Sequence, residues 1–380
     1  MLQTPHSLVA TKPRNLLAGC VSPQVKKSAG FSLVEIMVAM VISLLGMLIM
    51  LQVYSNSEAQ KRTTAGGDDA QNAGAIALYG LQRDIQQSGW GISSINLLGC
   101  NAQLRAGPPA VTLNAIAPVT INHASITGQD ANTDTLVIVS GNSNGGQEGD
   151  TVTSQLLGNS VFTVASPNEF TAGDMVIART TALPASCTVD TVISVVGANV
   201  TVTIGLAGMT SGTLFNLGRA QKIRAYAIRG GNLTLCDYTA NDCGLAANNA
   251  NTAIWVPIAN NIVSMKAQYG RDTNAVPMDG IVDIYDKVTP TTACGWVRTS
   301  SIRVALVARN SQSVQAGVTP IAPVWAGSLT VAVAAPLPAT VADPIDISLS
   351  NANWQNYRHK VFQTLVPIRN ITVKGVQTGC

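Results

Sequence analysis

The sequence predicts an α+β fold, in which a long N-terminal α-helix, partly transmembrane, packs on a β-rich, mainly antiparallel globular domain. Three observations predict it. Residues 31–53, FSLVEIMVAMVISLLGMLIMLQV, hold one ionisable group, Glu35, and an unbroken apolar or small run from Ile36 to Leu51; about 20 such residues span the hydrocarbon core as a helix. No proline interrupts Gln52 to Ser88, where Ala73, Ala77, Leu81 and Ile85 recur at four-residue spacing beside Ile76 and Leu78, forming one apolar stripe. Further on, runs rich in Val, Ile and Thr alternate with Gly, Asn, Asp and Pro clusters, which is the spacing of strands and turns.

Lys26 and Lys27 stand directly before the apolar run and no comparable basic cluster follows it closely. The positive-inside bias therefore leaves the leader in the cytoplasm and the rest outside. A secretory signal carries its small-residue cleavage site after the apolar part. Here Ser28, Ala29 and Gly30 lie before it, so cleavage at Gly30 keeps the apolar helix on the mature chain. Glu35 needs a partner, because an isolated carboxylate in the bilayer costs several kcal/mol. Cleavage after Gly30 creates one, the new amine at Phe31 of a neighbouring helix packed at a staggered height.

The helix is expected to continue from residue 54 to 88, with Arg83 and Asp84 off the stripe on a solvated face. Gly66 and Gly67 predict a kink or short melted stretch, since each costs about 1 kcal/mol relative to alanine in a helix. Gly89 and Gly91, on either side of Trp90, predict the stop.

Strands are expected at Ala110 to Ile121, Thr135 to Val139, Val161 to Val164, Met175 to Ala178 and Thr191 to Ile204. IRAYAIRGGNLTLCDY reads as a hairpin turning at Gly230-Gly231. Ser301 to Arg309 alternates with Ile302, Val304, Leu306 and Ala308 on one face, and Val361 to Asn370 does so with Phe362, Thr364, Val366 and Ile368. Both are predicted as half-buried strands, the second at an edge because of Pro367.

Composition bounds the function. Of 380 residues, 11% are charged and 4% aromatic, which favours turns and short strands over long soluble helices. The leader carries Lys12, Arg14, Lys26 and Lys27 and no acid; its removal leaves 19 basic residues against 20 acidic ones. Such a balance argues against a nucleic-acid partner. Of seven cysteines, Cys20 leaves with the leader, and Cys100, Cys187, Cys236, Cys243, Cys294 and Cys380 form an even set outside the cytoplasm, as structural disulfides require. Cys236 and Cys243 are near enough to close a small loop; the pairing of the other four stays open.

Zinc is disfavoured, because only His123 and His359 survive cleavage and no repeated C-x-x-C is present. Asp272, Asn274, Asp279 and Asp283 form the one carboxylate-rich loop. It departs from the calcium pattern at Val276 and Pro277, so a solvated turn is expected. No nucleotide-binding G-x-x-x-x-G-K-[ST] occurs, and no Ser, His and Asp setting marks a hydrolytic triad. Neither catalysis nor a cofactor or metal is expected. Trp296, Trp325 and Trp354 are expected in the core.

KKSAGFSLVEIMVAMVISLLGML resembles the prepilin signature of type IV pilins and type II secretion pseudopilins: basic leader, Gly before the cut, Phe after it, Glu fifth in the mature chain. The resemblance implies prepilin peptidase cleavage between Gly30 and Phe31, N-methylation of Phe31 and subunit docking through Glu35. The leader is longer than the family's usual handful of residues, which places the natural start downstream of Met1, at a non-Met codon because no second Met precedes Met37.

ALYGLQRDIQQSGWG, AQYGRDTNAVPMDGIVDIY, SIRVALVARN and YRHKVFQTLVPIRN are similar to segments of PilW-type minor pilins, and the likeness fades from about 101 to 213. It implies a pilin-like fold divided into a removed leader (1–30), a transmembrane assembly half-helix (31–53), an amphipathic second half (54–88) and a periplasmic domain (89–380) with a variable insertion at about 101–213. By the same resemblance the chain is a minor pilin that primes type IV pilus assembly. It would sit at or near the tip with other minor pilins and the major pilin, often beneath a large adhesin, and reach the cell surface from the inner membrane. A type II secretion pseudopilin shares the N-terminal motif, and a filament-associated module gripping DNA or a surface ligand is the reading from a different class.

Overall fold

The computed structural model describes residues 30–105, 111–113, 115–142, 145–156, 160–180, 187–205, 209, 211–275, 277–313, 317–332, 337–349, 351–372, 375–377 and 379–380. All of the expected leader except Gly30, with Lys26, Lys27 and Cys20, lies outside them. The chain divides after Glu58 into an N-terminal unit and a larger unit from Ala59 to Cys380. One helix, α1 (Leu33–Gln87), contributes to both. Gly66 and Gly67 are helical throughout, so the melted stretch expected there is absent. Gly66 is buried instead, its Cα side lying against Asn310 Cβ, and this packing offsets the poor helix propensity of the pair. The helix stops where expected, and Gly89 and Gly91 take φ of +82° and +76°.

In chain order the strands are β1 (Ala102–Arg105), β2 (Val111–Leu113), β3 (Val119–Ile121), β4 (Leu136–Ser140), β5 (Asp150–Leu156) and β6 (Val161–Val164). Then come β7 (Met175–Thr180), β8 (Cys187–Val196), β9 (Asn199–Val202), β10 (Gly212–Gly218), β11 (Lys222–Arg229) and β12 (Asn232–Asp237). The last are β13 (Val256–Ala259), β14 (Ile262–Arg271), β15 (Ile284–Asp286), β16 (Thr299–Arg309), β17 (Ala339–Thr340) and β18 (His359–Pro367). Two short helices, α2 (Ala293–Val297) and α3 (Arg369–Thr372), flank β16 and β18. The fold is thus α+β, with a predominantly antiparallel, β-rich body.

Three sheets build the larger unit. The first runs β2-β1-β8-β7-β10-β5-β6-β9, and because β8 also pairs with β9, six of its strands close on themselves as an antiparallel barrel. Val152, Phe162, Val176, Val192, Val200 and Leu214 fill it, and closure removes the unpaired edges of an open sheet. The second sheet is β13-β12-β11-β4-β3 and the third β17-β15-β14-β16-β18.

Within the larger unit, α1 packs Ala77, Leu81 and Ile85 among Leu136, Ile138 and Tyr226 of the second sheet and Met265, Ile302 and Val304 of the third. The back of the second sheet, with Val137, Val139 and Ala225, meets Ile177, Phe215 and Leu217 of the first. Beneath the third sheet lie Trp325, Ile345 and Ile347, packed on Ala305 and Val307. β16 is therefore buried on both faces, not half-buried as its alternation suggests, because Trp325, Ile345 and Ile347 cover the face that alternation assigns to solvent. β18 is an edge strand, as Pro367 indicated.

The single strand expected at Ala110 to Ile121 is instead two, β2 in the first sheet and β3 in the second. Pro118, which has no N–H to donate to a ladder, stands between them. Likewise Thr191 to Ile204 folds back at Gly197-Ala198, giving the end of β8 and then β9. β3 and β4 fall inside the 101–213 stretch yet pair with the β11 side of the second sheet, while the barrel strands run from 150 to 218.

The hairpin at Gly230-Gly231 forms in the expected register, Arg229 opposite Asn232. Cys236 bonds Cys243, Cys100 bonds Cys187, and Cys294 bonds Cys380. Trp296 and Trp325 are in the core as expected, and Trp354 is half-buried against it.

Candidate assembly site

Gly30, Phe31 and Ser32 precede the first turn of α1, and the Ile36 N–H donates to the Ser32 carbonyl at 3.2 Å. The backbone on either side of the Gly30–Phe31 bond is thus free of regular structure, and Phe31 is 78% exposed. Glu35 lies in the first turn, where a carboxylate is favoured by the helix dipole. Phe31, Glu35, Ala39, Ser43 and Met47 recur every fourth residue and line one shallow concavity on the helix surface. Leu33–Glu58 is long and apolar enough to cross a membrane, with a mean hydropathy of 2.6, and its apolar side chains are exposed in the isolated chain. Such a surface is stable only against lipid or other apolar helices.

In the larger unit a second set of residues anchors the rest of α1. Gly74 faces the Phe362 ring of β18 so closely that a Cβ would overlap it. Asp84 is buried, which corrects the expectation of a solvated Arg83-Asp84 face; only Arg83 is exposed. The reason is a local partner set on β11: the Arg224 guanidinium sits 2.7 Å from the Asp84 carboxylate, and the Tyr226 hydroxyl also donates to it. Burial, followed by the Asp84 charge, pushes the Tyr226 phenol well above its ordinary range. Ile76, placed beside the stripe by sequence, is 72% exposed.

The helix end is also held. Asn370 Nδ2 donates to the Gln87 and Ser88 carbonyls at 3.2 and 2.8 Å, and Ser140 Oγ donates to the Gln87 carbonyl at 2.8 Å. These satisfy acceptors that the helix terminus leaves free. Nothing in local sequence pattern links Asn370 to Gln87, since the contact spans almost the whole body of the fold.

A third group joins the second and third sheets. Asp134 accepts from the Ala267 N–H at 2.9 Å and lies 2.7 Å from Lys287, whose ammonium is also 2.7 Å from Asp343. Lys266 closes the set at 3.0 Å from Asp343. The Asp272 loop is a turn held by its own backbone: Asp272 accepts from the Asn274, Asp279 and Gly280 N–H groups at 3.0, 2.9 and 2.7 Å. Its oxygens are thereby used in local structure. No cluster of three or more metal-ligating side chains occurs among the described residues.

Residues 230–370 match the family model described as type IV pilus-assembly protein W, and residues 25–51 match that of the prokaryotic N-terminal methylation motif. The first match runs from the β11–β12 turn to α3, taking in the whole third sheet, Phe362 and Asn370. Three of the four segments likened to PilW-type pilins fall inside it, and the fourth, at 77–91, lies outside. The first description names a pilus-assembly protein, and the two matches support the resemblance read from the residues. No curated protein and no solved structure matches the chain.

Proposed function

We propose that this chain, a PilW-type, prepilin-like pilin of the type IV pilus system, works as a minor pilin that primes pilus assembly with other minor pilins and the major pilin, at or near the tip. The observation that carries the reading is the conjunction of two matches on one chain: the methylation motif over the start of an exposed apolar helix, and the PilW segment over the sheet that anchors that helix's second half.

In this reading Gly30–Phe31 is the peptidase bond and lies just ahead of the helix, where the exposed backbone is open to an enzyme. Phe31 becomes the methylated N-terminus. The Glu35 carboxylate then meets the Phe31 amine of a neighbouring subunit, which removes the cost of an unpaired charge among apolar helices. Before assembly the apolar run holds the chain in the inner membrane with the larger unit in the periplasm.

The test is the N-terminal residue and mass of the protein recovered from membranes, with and without prepilin peptidase. A peptidase-dependent start at methylated Phe31, together with loss of surface pili on deletion of the gene, is expected. An intact N-terminus, or cleavage after the apolar run, overturns the reading. Loss of protein secretion with pili intact assigns the chain to a secretion filament instead.

A further inference from the structure

Arg309 ends β16 and is paired in register with His359 at the start of β18. Its guanidinium stacks 4.7 Å from the Tyr357 ring centroid. Arg224, Arg271 and Arg298 each face a carboxylate. Among the described residues the half-buried Arg309 side chain has no carboxylate within 4.0 Å and no hydrogen-bond partner, and its Nε is fully buried. A half-buried cation without a carboxylate is costly, and its Nη groups, which are not among the buried atoms, are the ones an anion from outside can meet.

That cation opens onto a cavity of about 390 Å³ at the end of the third sheet, beside the β11–β12 turn. The size is in the range of small-molecule sites. Its apolar lining includes Trp354 and Leu349, and its polar lining includes Asp130 and Asn351, whose Oδ1 accepts from the Asn353 N–H at 2.9 Å and leaves the Nδ2 donors. Asp130 is fixed there by the Gly230 and Gly231 N–H groups at 2.9 and 2.7 Å, leaving lone pairs for further donors. Gly231, with φ +71°, lies beside the guanidinium, where a Cβ would stand in ordinary contact with it at 3.5 Å.

His359 lines the same cavity. Its Nδ1 has no partner in good hydrogen-bond geometry, although the Tyr357 carbonyl lies close enough to favour the protonated ring slightly. Burial and the Arg309 charge lower its pKa to about 4, so at neutral pH the ring is uncharged and can donate or accept one hydrogen bond.

We infer that this cavity binds a hydroxylated anionic ring, a sugar acid of the uronate type, with its carboxylate on Arg309, its ring face on Trp354 and its hydroxyls on Asp130 and Asn351. An acidic peptide satisfies Arg309 equally well but leaves Asp130 facing a second negative charge. A neutral sugar satisfies Asp130 and leaves Arg309 unpartnered. The combination of one free cation, one aromatic face and one hydrogen-bond acceptor selects a ligand bearing all three complements. The site does not depend on where the chain sits in a filament.

The test titrates sodium glucuronate, glucose, acetate and a glutamate-rich peptide into the full chain in mild detergent, read by calorimetry and tryptophan fluorescence. Saturable binding of glucuronate alone is expected. It should weaken by about tenfold to a hundredfold in Arg309→Gln, the range for a hydrogen bond to a charged group, and by about threefold to tenfold in Trp354→Ala. Asn351→Ala, on a half-buried turn residue, keeps the test valid if Arg309→Gln lowers the melting temperature, and should also weaken binding. Absence of glucuronate binding, equal binding of glucose, or binding unchanged in folded Arg309→Gln and Asn351→Ala overturns the inference. Binding of the peptide in place of glucuronate also overturns it and assigns the cavity to a protein partner.

Discussion

Gly74 on α1 and Phe362 on β18 meet face to face, the ring occupying the space a Cβ would need. The residues are far apart in sequence, and the contact fixes how deeply the helix sits on the third sheet. Gly74→Ala is expected to destabilise the larger unit by about 1–3 kcal/mol, the usual cost of overpacking. The sign is informative, because at an open helix position the same change would stabilise by about 1 kcal/mol. Denaturant unfolding of the full chain in detergent measures it, and Phe362→Leu should restore part of the loss in the double variant.

Asp84 holds Arg224 and Tyr226 from within α1. Asp84→Ala leaves a half-buried cation and a buried hydroxyl without their acceptor, and a loss of about 3–5 kcal/mol is expected, as for a broken buried pair. Tyr226→Phe removes only a donor and should cost about 1 kcal/mol. Equal effects of the two substitutions would show that the carboxylate is not the hub of the set.

These two contacts mark the limit of what was legible beforehand. The helix, its end at Gly89, the β11–β12 hairpin and the edge position of β18 follow from local rules, because period, turn glycines and Pro367 act within a few residues. Asp84 does not. A charged residue beside Arg83 reads as solvated until β11 brings up Arg224 and Tyr226. The barrel escapes for a similar reason: its closure depends on β8 pairing with β7 at one end and, past an irregularity between Val192 and Ser194, with β9 at the other. Alternation does not reveal β14 either, because both of its faces are buried, one under α1 and the second sheet and one on Trp325, Ile345 and Ile347. In the candidate assembly site the reverse holds. Gly30, Phe31 and Glu35 lie within a few residues of one another, so their arrangement is carried by sequence alone.

His359 provides a pH dependence. Its pKa is lowered from 6.5 to about 4 in the folded chain by burial and by Arg309. Between those values the unfolded chain binds more protons, so the contribution of this residue to stability is intact above about pH 6.5 and is lost as pH falls towards 4. His359→Gln removes that dependence. Melting temperatures measured from pH 7 to pH 4 should therefore fall less steeply in the variant, and parallel curves would count against the buried neutral imidazole.

The disulfides should differ in weight. Cys236–Cys243 closes a separation of 7 residues, against 87 for Cys100–Cys187 and 86 for Cys294–Cys380. On the chain-entropy model, losing the short loop costs about 2.4 kcal/mol and losing either long one about 4.6 kcal/mol. Paired serine variants, compared by unfolding, test the order. A short-loop variant as damaged as the others would point to native packing around buried Cys236 and Cys243 as the larger effect.

Glu35 carries the last expectation. Its carboxylate stands exposed in the first turn of an otherwise apolar span, a position that costs several kcal/mol in a bilayer unless a positive group meets it. The isolated helix offers no cation between Phe31 and Glu58, so the partner has to come from another chain or from an amine that cleavage after Gly30 would expose. If the amine of an adjacent subunit is that partner, Glu35→Ala leaves the Gly30–Phe31 bond cleavable, because neither residue at the bond has changed. The variant should then accumulate as processed protein in the membrane while its amount in sheared pili falls by about tenfold or more, the loss of one charge-assisted contact. Glu35→Gln keeps shape and hydrogen bonding without charge and should fall between the two. Wild-type levels of Glu35→Ala in sheared pili would exclude the carboxylate–amine pairing and leave apolar packing along Ala39, Ser43 and Met47 as the force that seats the helix.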